Sequence, residues 1–291
     1  MIVRRSCPPG TTLVELMVGL VIAAILGAAV VRGLMSEARI SEDREAWANA
    51  RRVTLSAAGR LASELRMVET GGGVEYANDA GDTLVVRAPY AFGVLCATDG
   101  SLSTVALLPA DSVMLAAPGF SGFAWRNAET GTYAYVTAGT DIDLEGDPDD
   151  CEDNGITPVT GLADSPDGLV IELEGAVPDD LAPGTVIFLF RRVRYVFADS
   201  DLVPGQVGLW RTTLSTGATE ELAAPFDSTA RFRYFVPGEV EAQEDVPGSL
   251  AGIRGVEIQL DGRSEMAPRV SESGSRILRM ASAIYFQNTT D

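Results

Sequence analysis

Hydrophobic and polar positions change their spacing twice along the chain, and each change marks an element boundary. Residues Leu16 to Val31 read LMVGLVIAAILGAAVV, uncharged throughout and bounded by Glu15 and Arg32. At 1.5 Å of rise per residue this run makes about 24 Å of helix; with Thr11 to Glu15 added it matches the roughly 30 Å hydrocarbon core of a bilayer. From Arg32 onward the sequence turns charged but keeps a helical period. Trp47, Ala50, Thr54, Ala58, Leu61, Leu65 and Val68 recur at three- and four-residue steps as one apolar stripe, and Arg44, Arg51, Arg52, Arg60, Glu64 and Arg66 occupy much of the remainder. No proline falls between Pro9 and Pro89, and Gly71-Gly72-Gly73 supplies a stop. The pattern predicts one helix from about Thr12 to Val68, roughly 85 Å long, apolar all round in its first half and one-sided in its second. Long aliphatic residues do not fill successive a and d positions over 34 to 68, which disfavours a coiled coil.

Beyond the glycine triplet the period falls to two. Strands are predicted at Thr83–Arg87, Thr104–Leu108, Ser112–Leu115, Gly122–Arg126, Tyr133–Thr137 and Leu169–Leu173. Further strands are predicted at Thr185–Phe190, Arg192–Phe197, Gly208–Thr212, Arg231–Val236, Gly255–Leu260 and Arg276–Phe286. Val193, Tyr195 and Phe197 alternate with Arg192 and Arg194, and Phe232, Tyr234 and Val236 with Arg231 and Arg233. Turns at Pro204-Gly205, Pro237-Gly238 and Pro247-Gly248 separate the runs, without the strand–helix alternation of a parallel α/β fold. The expected class is α+β: a long N-terminal helix packed on a large, mainly antiparallel β-rich head. That head, 70–291, is long enough to bury a core as one domain or as two joined halves split near 138–166.

Composition narrows the function. The chain carries 41 acidic against 22 basic residues, a net charge of −19. Such a surface repels phosphate backbones, so nucleic acid is not expected as a main ligand. Arg191, Arg192 and Arg194 form a small basic exception, read as a strand edge or an interface. The chain has no histidine, which removes the common imidazole base and most zinc-site designs. No Walker loop, dinucleotide fingerprint or G-x-S-x-G occurs, and no nucleophile is spaced with an activator, so the chain is read as a non-enzyme.

The acidic insertion at about 138–166 holds Asp147, Asp149, Asp150, Glu152 and Asp153. Closely spaced oxygen ligands suit calcium, yet the order of an EF-hand loop is missing, and a solvated loop is the expected reading. No other cofactor is implied.

The N-terminal residues admit several readings. Arg4 and Arg5 before an apolar stretch fit a secretory signal or a signal anchor. Pro8, Pro9 and Gly10 separate the arginines from the apolar run, however, and Glu15 interrupts it. Gly10-Thr11-Thr12-Leu13-Val14-Glu15-Leu16, followed by an apolar helix, resembles the processing signal of type IV pilins and type II secretion pseudopilins. The resemblance covers about thirty residues, and it departs at Thr11, where the family usually has phenylalanine or another apolar residue. It implies a basic leader, residues 1–10, cut by the prepilin peptidase after Gly10, with Thr11 as the methylated mature N-terminus. It also implies that 11–31 span the membrane or pack in a filament core, while 32–69 form an amphipathic spine. A carboxylate in lipid is costly without an opposite charge. The resemblance supplies one for Glu15, the Thr11 ammonium of a neighbouring subunit.

The size of the head, with Arg60-Leu61 and Glu64-Leu65-Arg66 closing the spine, is similar to PilW-type (J-class) minor pilins, as is the run from Ile253 to Leu260. The implied function is a minor pilin in initiation or tip assembly of a type IV pilus. Its implied partners are major and minor pilins, the prepilin peptidase and an inner-membrane assembly platform. The implied location is the inner membrane, with the head in the periplasm or outside. A minor pseudopilin of a type II secretion system is the alternative; a membrane-tethered adhesin or carbohydrate-binding head is a further one. Cys7 lies in the leader, leaving Cys96 and Cys151 as an even pair in a compartment where disulfides persist; a bond between them and two free thiols are both open.

Overall fold

One unbroken helix, α1, runs from Leu13 to Leu65, about 80 Å. The computed structural model describes residues 13–99, 101–107, 119–137, 142–143, 146–156, 169–175, 177, 181–263 and 277–286. The leader with Gly10 and Thr11, the predicted strand Ser112–Leu115 and much of the acidic insertion lie outside them. α1 ends three residues before the predicted Val68. There the amides of Met67 and Val68 turn to carbonyls three residues back, and Gly71 and Gly72 adopt positive φ (82° and 136°).

Among the described residues thirteen strands form one sheet. They are β1 (Val74–Ala77), β2 (Thr83–Asp99), β3 (Leu102–Leu107), β4 (Gly122–Arg126), β5 (Tyr133–Val136), β6 (Ile142–Asp143) and β7 (Leu169–Glu174). The rest are β8 (Val186–Asp199), β9 (Val207–Thr213), β10 (Thr219–Phe226), β11 (Arg231–Phe235), β12 (Gly255–Arg263) and β13 (Ile277–Tyr285). Every pairing is antiparallel, along the path β11-β12-β10-β9-β8-β2-β3-β7-β6. The observed class is therefore α+β, a long helix with a large antiparallel head.

The long strands β2 and β8 hold the head together. Their outer halves exchange partners near a bulge at Pro89/Ala91: β8 pairs with β9 beyond Val193 and with β4 before Phe190. Pro89 lacks an amide donor, so a bulge is where a central strand tolerates it. Two main apolar cores result, beside two small clusters. The larger one joins Leu61, Leu65 and Val68 of the spine to Val193, Tyr195, Phe232, Ile258 and Leu260. The smaller one gathers Leu95, Phe123, Trp125, Ile171, Ile187 and Leu189. The two cores lie on either side of the β2–β8 crossover.

Three expectations need correction. β8 is one strand where the sequence predicts two, Thr185–Phe190 and Arg192–Phe197, because its pairing with β2 continues through Arg191, whose guanidinium lies over the Tyr90 ring at 4.1 Å. The arginines of β8 therefore occupy a central strand, with Arg192 donating to Glu75 on β1, its Nε at 2.7 Å from Oε2. Second, the docked face of α1 carries Ala46, Ala50, Thr54, Ala57, Leu61 and Leu65; Trp47 is 44% exposed and stands on the helix flank. Small residues let the helix approach the sheet closely. A Cβ at Gly262 of β12 would lie 2.0 Å from Thr54 Oγ1 and 2.7 Å from the Ala50 carbonyl oxygen. Third, the acidic insertion carries a short helix, α2, over Pro148–Asp153, with Cys151 buried.

Candidate functional site

The helix divides into two surfaces of opposite character. From Leu13 through Ser41 every residue is exposed, whereas the docked face is buried from Ala46 onward. Twelve large apolar side chains between Leu13 and Val31 are more than half exposed, Leu13 at 77% and Leu16 at 63% among them. Burying each would contribute roughly 1.5–3 kcal/mol. A continuous apolar surface of this extent marks a contact with lipid or protein. The helix is long and apolar enough to cross a membrane. Glu15 lies in its first turn, where the partial positive charge of the helix end favours a carboxylate. Gly10 and Thr11, assigned to processing, lie outside the described residues.

The spine is attached to the head by both shape and charge. Leu61 and Leu65 are fully buried against the sheet. Beside them Glu64 accepts a hydrogen bond from the Tyr195 hydroxyl, and its two oxygens share the single Arg211 Nε–H at 3.0 and 3.1 Å. Burial foremost, then the Glu64 carboxylate, pushes the Tyr195 phenol well above its ordinary value, so it stays a proton donor. In sequence Glu64 looked like one more solvated charge. The cue to its role is that it sits between Leu61 and Leu65, at the margin of the buried stripe.

Cys96 on β2 and Cys151 on α2 are joined by a disulfide and are both fully buried, with Ala106, Val170 and Ile156 around them. α2 is further fixed by its carboxylates. The Asp147 side chain caps its start by accepting from the Asp149 amide at 3.0 Å, and Asp150 accepts from Thr104 Oγ1 at 2.9 Å. These bonds occupy two of the five residues considered for calcium, while Asp149, Glu152 and Asp153 stay with them in one short segment. Among the described residues no three His, Cys, Asp or Glu side chains converge as a metal cradle.

Comparison with protein-family models, with curated proteins and with solved structures finds no match.

Proposed function

We propose that this chain is a minor pilin, a structural subunit that takes part in starting or capping a type IV filament. The observation that carries this reading is the uncovered apolar rod on a head that leaves it bare. Twelve large side chains from Leu13 to Val31 are exposed, while the same helix is firmly docked from Ala46 to Leu65. A helix built this way has two successive environments available to it, the bilayer before assembly and a bundle of equivalent helices afterwards. The Gly10-Thr11 junction and Glu15 fit the peptidase signal read from the sequence. On this reading the prepilin peptidase cuts after Gly10, and the new ammonium at Thr11 of one subunit meets Glu15 of the next. Other pilins and an inner-membrane platform are the partners; the filament draws its energy from an ATPase that is a separate protein. The disulfide agrees with a head held outside the cytoplasm.

The test is mass measurement of the mature N-terminus in cells with and without prepilin peptidase. The expected result is a methylated Thr11 terminus in the first case and an intact leader in the second. A chain that retains residues 1–10 in the presence of the peptidase, or is trimmed far downstream, overturns the proposal.

A further inference from the structure

A groove of about 800 Å³ runs between the flank of α1 and strand β13. Trp47 and Leu55 form its helix wall and Leu278 and Met280 its strand wall. Trp47 and Leu55 are 44% and 51% exposed, unusual for large apolar residues beside a packed core. Arg51, Arg52 and Arg279 complete the lining, which includes no carboxylate. Three arginines and no acid form a local inversion of charge in a chain of net charge −19.

β13 itself is the second half of the observation. It pairs with β12 in unbroken register over nine residues, from Gly255↔Tyr285 to Arg263↔Ile277. Among the described residues no strand pairs with its other side. Its even-numbered residues from Leu278 to Ile284 face the helix and are the better covered; its odd-numbered ones from Ile277 to Tyr285 are exposed. An edge of this length presents a row of main-chain donors and acceptors to a further strand. A strand laid there would send alternate side chains toward Trp47, Leu55, Leu278 and Met280, and the others to the face that carries Arg279.

We propose that the β13 edge and its groove receive an extended segment of a partner protein, apolar at alternate positions and acidic in between. Main-chain pairing along β13 supplies affinity. The apolar positions fill the groove, and the acidic ones, on the opposite face of the sheet, meet Arg279 across the strands. This inference does not depend on N-terminal processing, so it stands or falls separately from the pilin reading.

The test uses the full chain in detergent micelles and three fluorescein-labelled nine-residue peptides, read by fluorescence anisotropy. One alternates valine and glutamate; the second alternates valine and lysine; the third is the first with alternate main-chain amides N-methylated. The glutamate peptide is expected to bind at least tenfold more tightly than either of the others. In the Arg279→Glu variant the lysine peptide is expected to become the better ligand. Equal binding of the glutamate and lysine peptides overturns the charge argument. Equal binding of the methylated peptide overturns strand pairing, and absence of binding by the glutamate peptide overturns the proposal outright. The three-peptide comparison on the unaltered chain decides the matter even where the charge-reversed variant fails to fold.

Discussion

The Tyr195 hydroxyl donates to the Glu64 carboxylate, which ties the last turns of α1 to the centre of β8. Apolar contacts alone would let a helix slide along a sheet, because the hydrophobic effect has no direction. A buried phenol and the Arg211 guanidinium meeting one carboxylate fix both the position and the rotation of the spine. The direction in which the bare N-terminal rod leaves the head follows from that attachment.

Replacing Glu64 by alanine should therefore destabilise the head by about 1–3 kcal/mol, since it strands a buried phenol and removes one of the two carboxylates that Arg211 meets. Tyr195→Phe should cost about 1 kcal/mol, and the double variant less than the sum of the two. Urea unfolding of the four chains measures this. Strict additivity would mean that the two groups are not coupled.

A second contact fixes the distance between helix and sheet. Gly262→Ala places a methyl group 2.0 Å from Thr54 Oγ1, so the helix must lift from β12. Overpacking of this kind costs typically about 1–3 kcal/mol. The companion change Thr54→Ala in the same chain should recover part of the loss, read as a rise in melting temperature. No recovery would place the strain elsewhere.

Much of this architecture is written in periodicity. The rod is legible because Leu16 to Val31 contain no charge, and β4 because GFAWR lies between turn residues. Strands β1 and β10 escape the pattern for opposite reasons. VEYA is too short to establish a period, and TEELAAPF has the composition of a helix and becomes a strand only by pairing with β9. β2 looked shorter because Pro89 reads as a terminator, and only tertiary pairing shows that the chain crosses it in a bulge. The three- and four-residue spacing with Ala50 and Thr54 puts Trp47 in the predicted stripe. The buried face begins instead with Ala46 and Ala50, whose contribution is closeness. The β13 groove was not legible at all, since Arg51 and Arg279 are far apart in sequence.

The Cys96–Cys151 bond closes a loop of sequence separation 55 and ties α2 to the sheet. In the chain-entropy account a loop of that length is worth about 4 kcal/mol. Cys96→Ser/Cys151→Ser, or reduction of the native chain, should lower the unfolding free energy by up to that amount. α2 should lose hydrogen-exchange protection before the rest of the head does. Uniform loss of protection would show that α2 is not a separately held element.

Alkaline pH should weaken the head through its buried tyrosines. Burial, and after it Asp82 and Asp79, push the Tyr234 phenol up to about 12 from the model-peptide value of 10.0. Below pH 10 both folded and unfolded phenols are protonated, and the contribution to stability is complete. Between about 10 and 12 the unfolded chain ionises first, so stability falls as pH rises and is lost through the folded value. Tyr234→Phe should make the urea midpoint fall less steeply across that window while leaving it nearly unchanged at pH 8. An unchanged slope would remove Tyr234 as a source of the pH dependence.

Glu15 gives the most direct reading of what the rod is for. Its carboxylate stands in the first turn of an exposed apolar helix, and a charge there is retained at a cost in lipid. If its purpose is to meet the Thr11 ammonium of a neighbour, Glu15→Ala leaves the rod more apolar and the junction after Gly10 untouched. Cleavage should then proceed to completion and the protein should stay in the membrane, while its recovery in sheared filaments falls at least tenfold. Glu15→Asp, which keeps the charge but shortens its reach, should fall between the two. Glu15→Gln, which keeps the shape without the charge, should behave like alanine. Normal incorporation of the glutamine variant would show that packing of the apolar helix alone recruits the subunit, and that the carboxylate serves the peptidase or the membrane boundary instead.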